Sequence, residues 1–333
     1  MTDVIIAGAG PAGSALAIHL ARQGREVLLL DRSSFPREKP CGEGLMPAGV
    51  EALRRLGVSV HGKPFQGVTY HAAGRTVPGT FPGAATGLGI RRAHLDHALV
   101  EAARAAGAKV LQAMVEGPLF ENNAVAGARA GGAEYRAPLT VAADGANSLL
   151  RHKLGWDASP RPRRYGLRQH FRTSKALDRV HVYIEPGHEI YVTPLPDDEI
   201  LVAVLRDKPG QTSIPFDGSP IDAPLGASPL TVRASRRWCR GCVLLGDAAG
   251  NCDPITGGGM SQALIAAEML ASHLDDLETF DREREHMLAN YRRLTAATLT
   301  LSRHPAFIRP TLSLLNAWPA LFTQLLGIAG GTR

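Results

Sequence analysis

Three glycines near the N terminus have the spacing that lets a backbone approach a diphosphate. In Gly8-Ala9-Gly10-Pro11-Ala12-Gly13 they occur as Gly-x-Gly-x-x-Gly, after the apolar run Val4 to Ala7 and before the Ala/Leu-rich segment Ser14 to Gln23. The first glycine permits a tight turn, the second leaves room for a pyrophosphate, and the third lets a helix pack closely on a strand. The N–H groups and positive dipole end of that helix would face the diphosphate. The pattern predicts binding of an adenine dinucleotide.

A carboxylate follows at the point where such a fold contacts a ribose. Val27 to Leu30 is a second short apolar run, suited to a buried strand, and it ends at Asp31. Asp31 is therefore placed to accept hydrogen bonds from ribose hydroxyls. The pair Asp31-Arg32 leaves open which dinucleotide is bound.

Four separated motifs, in the expected order, resemble those of a known group of flavoproteins. The sequence is similar to the para-hydroxybenzoate hydroxylase superfamily, including its geranylgeranyl reductase family, over most of the chain through Leu274. Besides the glycine fingerprint, the motifs are Pro36-Arg37-Glu38-Lys39-Pro40-Cys41-Gly42-Glu43-Gly44, which resembles the PRxKPCGxG loop beside the flavin; Ala143-Asp144-Gly145-Ala146-Asn147-Ser148-Leu149-Leu150-Arg151, which resembles the DG motif; and Gly246-Asp247-Ala248-Ala249-Gly250, continuing through Pro254 to Gly257-Gly258-Gly259, which resembles the GD motif. The resemblance implies FAD as cofactor and NADH or NADPH as electron donor.

The resemblance also implies contacts at individual positions. Arg92 matches a family arginine that contacts the cofactor, and Val115 corresponds to a residue whose backbone meets the adenine. In physical terms, Asp247 at a strand end can hold ribityl hydroxyls, and amides of the Gly257 to Gly259 run can stabilise negative charge on a reduced ring. The predicted cofactor-binding residues are Gly8, Gly10, Pro11, Ala12, Gly13, Asp31, Arg32, Arg37, Cys41, Gly42, Arg92, Val115, Asp144, Gly145, Gly246, Asp247, Pro254, Gly257, Gly258, Gly259 and Met260.

Cys41 is the predicted catalytic residue. In the reductase family a cysteine stands at this place close to the flavin, where it could deliver a proton or contact the substrate. Packing is the alternative role, since free cysteines are commonly buried. Cys239 and Cys242 form a single Cys-x-x-Cys without a second pair, and the 12 histidines show no metal spacing, so no metal site is predicted.

The reaction type is less determined than the cofactor. Relatives often carry a Trp-containing strand in the substrate sheet, and the corresponding stretch Glu189 to Pro196 has no Trp. The absence of that Trp and the well-matched DG motif favour a monooxygenase that hydroxylates an apolar or aromatic molecule, phenolic or polyketide-like. The alternative is reduction of isoprenoid or lipid double bonds, as in the geranylgeranyl reductases. A halogenase is disfavoured because the Trp-x-Trp-x-Ile-Pro motif is missing, and a flavoprotein partner without catalysis of its own is the remaining class.

The elements that must position these residues predict an α/β fold with a discontinuous Rossmann-type FAD-binding domain, a β-rich substrate domain and a C-terminal helical tail. We assign residues 1–63, 90–160 and 233–278 to the FAD-binding domain and residues 64–89 and 161–232 to the substrate domain. Residues 279–333 form the tail. The Pro-, Gly- and Ser-rich stretch Pro209 to Pro229 is expected to be a loop or a tight crossing.

The composition is that of a globular enzyme. Of 333 residues, 44% are hydrophobic and 20% charged, and the net charge of +6 is too evenly spread to indicate a nucleic-acid partner. The densest basic stretch, Arg161 to Arg172, is interpreted as a solvated rim, with an anion site as the alternative. Four unevenly spread cysteines favour a reduced, cytoplasmic protein.

The end of the chain is unusually apolar. Pro310 to Gly331 is uncharged over 22 residues, a length that could cross a bilayer, but Asn316, Pro319 and Gln324 interrupt it. A helical hairpin packed on the catalytic body is the first interpretation. Peripheral contact with a membrane or lipid through these helices is the alternative, and it would suit a lipid-like substrate.

Overall fold

A computed structural model describes residues 2–158, 164–208, 210 and 218–332. The strands of that part are β1 (Val4–Ala7), β2 (Val27–Asp31), β3 (Gly44–Leu45), β4 (Lys63–Phe65), β5 (Gly67–Ala72), β6 (Arg75–Thr80), β7 (Gly87–Gly89), β8 (Lys109–Gln112), β9 (Val115–Glu121), β10 (Ala124–Ala130), β11 (Ala133–Arg136), β12 (Leu139–Ala142), β13 (Tyr165–Arg172), β14 (Val180–Glu185), β15 (His188–Pro194), β16 (Glu199–Arg206), β17 (Ser219–Pro220), β18 (Leu225–Ala227), β19 (Trp238–Cys239) and β20 (Cys242–Leu244). The α-helices are α1 (Pro11–Arg22), α2 (Pro47–Arg55), α3 (Arg92–Ala105), α4 (Leu149–Lys153), α5 (Gly259–Ser272), α6 (Leu277–Ser302), α7 (Pro305–Ala317) and α8 (Pro319–Gly330).

A six-stranded sheet forms the core that carries the glycine fingerprint. Its order is β19-β20-β12-β1-β2-β8, and the five strands from β20 to β8 are parallel. Val4 and Ile6 of β1 pack against α1, α3 and α5, whereas Ile5 packs on the other face against the three-stranded sheet β11-β10-β9. Both faces are thus covered, which explains why β1, β2 and β12 are nearly continuous apolar runs.

A second, eight-stranded sheet forms the platform beside the parallel sheet. Its order is β17-β13-β16-β15-β14-β5-β6, with β18 also paired to β13. Cross-strand pairing places Tyr70, Val182, Tyr191, Ala203 and Arg168 side by side across five strands, on one face. The β5 and β6 side of that face is covered by α7 and α8, while polar side chains predominate on its β13 side.

The structure confirms the predicted α/β class with a second β-rich region and C-terminal helices. The strands of the parallel sheet all lie in the segments assigned to the FAD-binding domain, and those of the eight-stranded sheet lie in residues 67–80, 165–206 and 219–227. The domain boundaries themselves stay a prediction. The expectation of a loop or tight crossing at Pro209 to Pro229 is wrong for two short segments, because Ser219–Pro220 and Leu225–Ala227 pair with β13; residues 209 and 211–217 lie outside the described residues.

The tail folds into a bent pair of helices on the second sheet. Leu312 and Leu315 of α7 and Phe322 and Leu326 of α8 are buried in the same cluster as Val182. In the described residues no single helix is long and apolar enough to cross a bilayer. The pair α7 and α8 passes that test together, but the two helices are bent by 106° at their break.

Candidate active site

A cavity of about 990 Å³ extends from the N terminus of α1 to the space between the eight-stranded sheet and helices α6 to α8. It is lined by Cys41 and by every predicted cofactor-binding residue except Gly13 and Gly258. Its volume lies at the upper end of the range of about 300–1,000 Å³ that small-molecule and cofactor sites occupy. Four motifs that are far apart in sequence therefore meet at one cavity.

At the α1 end the three fingerprint glycines have different surroundings. A Cβ on Gly8 would lie 2.4 Å from Ala143 O, and one on Gly13 would lie 1.9 Å from Gly8 O, so both glycines are required by close backbone packing. A Cβ on Gly10 would meet only Arg37 Nη2, at 3.9 Å. Gly10 thus keeps open a space at the helix start, where the amides of Ala12 and Gly13 have no acceptor among the described residues.

Asp31 ends β2 beside that space. Its carboxylate accepts hydrogen bonds from the backbone N–H groups of Ala9 (2.7 Å) and Ser33 (2.9 Å), which fix its orientation. Arg37 stacks on Phe35 with its guanidinium 5.0 Å from the ring centroid, and its Nη2 lies 4.0 Å from Asp31 Oδ2. A carboxylate has about four acceptor positions, so Asp31 retains capacity for ligand hydroxyls. Arg32 is exposed at the cavity rim.

Arg92 and Lys39 bring positive charge to the middle of the cavity. The Arg92 guanidinium donates to both oxygens of Asp96 at 2.8 and 2.7 Å, and Arg37 Nη1 also lies 3.1 Å from Asp96. Burial opposes charging, but Asp96 raises the pKa of Arg92 well above its ordinary value. Burial, and then the neighbouring Arg92 and Arg37, lower the pKa of Lys39. Asp96 therefore favours the charged form of Arg92, whereas the surroundings of Lys39 disfavour its charged form.

Cys41 lies in the loop before β3, next to the start of α5. Its Sγ is 3.7 Å from Met260 Sδ and accepts the N–H of Glu43 at 3.4 Å. Burial raises the pKa of the thiol above its ordinary value, against the opposing effect of Arg92. Cys41 is consequently a thiol at neutral pH, and the nearest cation is placed to stabilise a thiolate when one forms.

Glu43 anchors the loop that contains Cys41 through a network of buried charged side chains. One carboxylate oxygen of Glu43 accepts the backbone N–H of Arg92 at 2.8 Å, and the other lies 2.8 Å from His170 Nε2. Both Glu43 and His170 are fully buried. His170 Nδ1 in turn lies 2.6 Å from Asp222. Burial lowers the pKa of His170, but the bonds to Glu43 and Asp222 outweigh it and raise that pKa overall. The backbone of Glu43 has φ of +53°, an unfavourable value for a non-glycine residue that this network holds in place.

The platform sheet holds the same loop at further points. Thr193 on β15 donates its hydroxyl to Gly42 O at 2.8 Å, and Arg168 on β13 binds Glu38 at the beginning of the loop. Tyr191 on β15 donates to Ile255 O at 2.8 Å in the segment that leads to α5. The polar half of this sheet face therefore positions two of the four motifs.

Asp144 supplies an unsatisfied polar atom to the cavity. Its Oδ2 accepts the N–H groups of Leu149 (2.8 Å) and Leu150 (3.4 Å), which begin α4. Its Oδ1 is buried without a hydrogen-bond partner among the described residues. Gly145 has φ of +84° and faces Lys39, whose Nζ would lie 3.4 Å from an added Cβ. A bound ligand with a hydroxyl or amide would satisfy the free Asp144 oxygen.

The glycine run before α5 corrects one part of the prediction. The N–H of Gly257 donates to Pro254 O and that of Gly258 donates to Tyr291 Oη, both at 2.9 Å. Gly258 packs against the Tyr291 ring and does not line the cavity. Its amide is not free for a ligand, so the predicted binding role of Gly258 is not supported. At this helix start the amides of Gly259, Met260 and Ser261 have no acceptor among the described residues, and Gly259 and Met260 line the cavity.

The remaining predicted positions lie along the same wall. Gly246 and Asp247 follow β20, with the Asp247 side chain exposed toward the cavity, and Val115 begins β9 near the α1 end.

The far half of the cavity is apolar. Its floor is made by Val68, Val180, Val182 and Ile184 of the platform sheet, and its roof by aliphatic and aromatic side chains of the C-terminal helices, including Leu294, Ile308, Leu312, Leu315, Phe322 and Leu326. Tyr70 is the main polar group in the floor, and burial raises the pKa of its hydroxyl to about 12. This half has the shape and surface chemistry for a hydrocarbon chain.

Comparisons with known proteins identify the family of this chain. A family model described as FAD binding domain matches residues 1–169, and one described as squalene epoxidase matches residues 227–296. The chain belongs to the FAD binding domain family. It is an FAD-dependent oxidoreductase, and its resemblance to the geranylgeranyl reductase group of flavoproteins is confirmed.

Curated relatives of this FAD-dependent oxidoreductase carry reductase names. A menaquinone reductase of Mycobacterium tuberculosis is 30% identical over 323 residues, covering 82% of this chain and 76% of the relative. Digeranylgeranylglycerophospholipid reductase 1 of Methanococcoides burtonii is 29% identical over 311 residues, covering 81% and 75%. Among solved structures, a flavoprotein/dehydrogenase from Cytophaga hutchinsonii has a TM-score of 0.84 at 18% identity, covering 99% of this chain and 93% of that one. This last similarity shows the shared fold.

The residues present fit FAD. Gly10 leaves a space beside unpaired helix amides, Asp144 Oδ1 lacks a partner, and the amides of Gly259 and Met260 are free within the described part of the chain. Leaving any of these polar groups buried without a hydrogen-bond partner costs free energy. The residues predicted to bind FAD thus include these unsatisfied groups of the cavity.

Several residues that shape the site were missed from sequence. Glu43 and His170 are 127 residues apart and Thr193 is 151 residues from Gly42, so no local pattern joins them. Lys39 stands inside the quoted loop motif, and its type alone could have drawn attention to it. The signal for Tyr291 was a lone tyrosine in a charged helix, which does not distinguish it from a surface residue.

The basic stretch Arg161 to Arg172 is not a solvated rim throughout: Arg172 is exposed, whereas two of its other arginines are buried. Arg164 is buried and binds Glu189 and Asp253, and Arg168 is buried and binds Glu38 and Asp222. These arginines join the platform sheet to the cofactor loops, so the prediction of a solvated rim is wrong for both. Arg161 and Arg163 lie outside the described residues.

Proposed function

We propose that FAD lies along the cavity from α1 to α5. The free amides of Ala12 and Gly13 and the helix dipole would bind the diphosphate, and Asp31 would accept ribose hydroxyls. Asp247 would hold the ribityl chain, and the amides of Gly259 and Met260 would face the flavin pyrimidine edge. The helix amides and the Asp31 carboxylate are already oriented by the protein, so little ordering of these groups is required on binding.

We further propose that the enzyme reduces carbon–carbon double bonds in an isoprenoid or lipid chain, with NADH or NADPH as electron donor. One observation carries this proposal: the half of the cavity beyond Cys41 is lined by aliphatic side chains of β5, β14 and α6 to α8. A long hydrocarbon would bury its surface there at about 25 cal/mol for each Å² removed from water. The curated relatives named as reductases of menaquinone and of digeranylgeranylglycerophospholipid support a reduction of a prenylated or lipid molecule.

The chemistry requires a hydride and a proton on adjacent carbons. When bound, reduced FAD supplies the hydride equivalent. The proton would come from Cys41 Sγ, because its raised pKa keeps the thiol protonated at neutral pH. Loss of the proton would leave a thiolate beside Arg92, which stabilises negative charge. The platform residues Thr193 and His170 hold the loop so that Sγ keeps its position.

The test is turnover of a geranylgeranyl lipid whose headgroup carries no quinone ring, by the FAD-loaded enzyme with NADH or NADPH, followed by mass spectrometry. The proposal predicts a product heavier by two hydrogen atoms for each reduced bond. A saturated prenyl analogue with identical headgroup is the control and should not be changed. Flavin oxidation without any hydrogenated product would contradict the proposal.

Hydroxylation or epoxidation is the second candidate. The observation in its favour is the match of residues 227–296 to the squalene epoxidase model. That region includes the GD motif and most of α6, which a reductase and an oxygenase could use in the same way to bind FAD. A product that gains one oxygen atom, and only in the presence of dioxygen, would select this candidate.

A further inference from the structure

Helix α7 exposes large apolar side chains that its packing does not need. Phe307 is 58% exposed, Leu314 is 51% exposed, and Trp318, at the junction with α8, is 58% exposed. With Pro310, they follow the spacing i, i+3, i+7 and i+11, which places them along one side of the helix. We call these four residues the outer stripe.

The adjacent side of α7 faces inward. Ile308, Leu312 and Leu315 line the apolar half of the cavity, and the last two are buried in its core cluster. The outer stripe therefore does not hold the tail on the body. Exposed large apolar groups that cluster on one helix commonly mark an interaction surface.

The charge of this region indicates what the outer stripe meets. No acidic residue occurs after Glu285, whereas that part of the sequence contains five arginines. Arg303 and Arg309 are exposed next to or within α7; Arg303 pairs with Asp207 at 3.0 Å, and Arg309 has no ion pair among the described residues. Apart from Asp207, which Arg303 pairs, the charges named on this surface are basic, and with an aromatic residue at its end the surface is complementary to an anionic lipid surface.

The geometry favours lying on the membrane. The break at Trp318 turns α8 by 106° back onto the body, where Phe322 and Leu326 are buried. Only the outer side of α7 and the corner at Trp318 are then left for insertion. Tryptophan is well suited to this depth because its ring is apolar and its N–H is polar.

We propose that the outer stripe inserts into the surface of an anionic bilayer. Helix α7 would then contact lipid on one side and the apolar half of the cavity on the adjacent side. One short helix would therefore separate the membrane from the site. The inference goes beyond the proposed reaction, and its test involves no turnover. A failure of one therefore leaves the other to be judged separately.

The experiment measures binding of the full-length, FAD-loaded protein to vesicles of phosphatidylcholine, with and without phosphatidylglycerol. We expect binding to the anionic vesicles, weakened by salt. Phe307→Ser should lower the partition coefficient about tenfold, the effect of losing roughly half of the burial of a Phe side chain. The matched control is Phe120→Ser, because Phe120 is 62% exposed but lies on β9, away from the tail.

Trp318 gives a second readout that does not depend on a disruptive substitution. The chain has three tryptophans, of which Trp156 is buried and Trp238 half-buried. Lipids brominated near the headgroup should quench the fluorescence of the wild type, and Trp318→Phe should abolish that quenching while binding persists.

Two results would overturn the proposal. One is equal partitioning of Phe307→Ser, Phe120→Ser and the wild type, with no quenching of Trp318. The other is a dimer in lipid-free solution that Phe307→Ser dissociates, because it would assign the outer stripe to a second copy of the chain. Normal flavin absorbance and an unchanged thermal midpoint show that each variant is folded.

Discussion

Replacing Gly10 with valine should remove FAD from a protein that still folds. Gly10 has φ of −76° and ψ of −175°, an extended conformation that valine adopts readily. A Cβ at this place would meet only Arg37 Nη2, at 3.9 Å. We therefore expect the apoprotein stability of Gly10→Val to stay within about 1 kcal/mol of the wild type.

The effect on FAD should be much larger. The valine methyl groups would occupy the space through which a diphosphate reaches the amides of Ala12 and Gly13. Hydrogen bonds to a charged group contribute about 1.5–3 kcal/mol each, so losing two costs roughly 3–6 kcal/mol. At about 1.4 kcal/mol for each factor of ten, FAD should bind about a hundredfold to more than ten-thousandfold more weakly.

The assay is titration of the apoprotein with FAD, followed by flavin absorbance and fluorescence, alongside thermal unfolding by circular dichroism. Gly117→Val is the matched control, because a Cβ on Gly117 would also have its nearest contact at 3.9 Å but lies outside the cavity. Wild-type FAD affinity in Gly10→Val would refute the placement of the diphosphate. Equal loss of FAD in Gly117→Val would show that the assay reports general damage.

Four other substitutions test separate parts of the account. Gly13→Ala should lower the unfolding midpoint, with a cost of about 1–3 kcal/mol, because its Cβ would lie 1.9 Å from a backbone oxygen; an unchanged midpoint would be inconsistent with that packing. Cys41→Ala should keep reduction by the nicotinamide but lose about a hundredfold in product formation, and normal product rates would remove Cys41 from the mechanism. Val182→Phe should shift the preference toward shorter chains, measured as kcat/KM over a series of prenyl lengths; the same order of preference would contradict the assigned floor of the cavity. His170→Gln should destabilise the protein most at low pH: the pKa of His170 is raised on folding, so its contribution is complete below its ordinary pKa of 6.5 and is lost as the pH rises through the folded value. A gap in unfolding midpoint between His170→Gln and wild type that stays constant from about pH 6 to about pH 9 would contradict this.

The cofactor half of the site follows from local sequence. Gly8, Gly10 and Gly13 act within six consecutive residues, and each strand-end carboxylate stands beside its own strand, so short patterns contain all the necessary geometry. The same locality explains the correct prediction of buried parallel strands. It does not extend to Gly258, whose amide is bonded by Tyr291 from another helix.

The parts that sequence reasoning missed depend on contacts between distant segments. In their own stretch of sequence, Arg164 and Arg168 have the pattern of surface charges. In the fold both are buried and form ion pairs with distant carboxylates, Arg164 with Asp253 and Arg168 with Glu38. The absence of a Trp near Tyr191, which favours hydroxylation in the sequence, concerns a single strand. The apolar lining of the cavity also includes side chains of α7 and α8, which lie more than 100 residues later in the chain.

The central claim is tested most directly in the absence of oxygen. The FAD-loaded protein is reduced with NADPH or dithionite under argon, freed of excess reductant, and mixed with a geranylgeranyl lipid that carries no quinone ring while flavin absorbance is followed. The account predicts that the absorbance of oxidised flavin returns without oxygen and that one double bond is saturated for each flavin reoxidised. Flavin that stays reduced until oxygen is admitted, and then yields an oxygenated product, would contradict it.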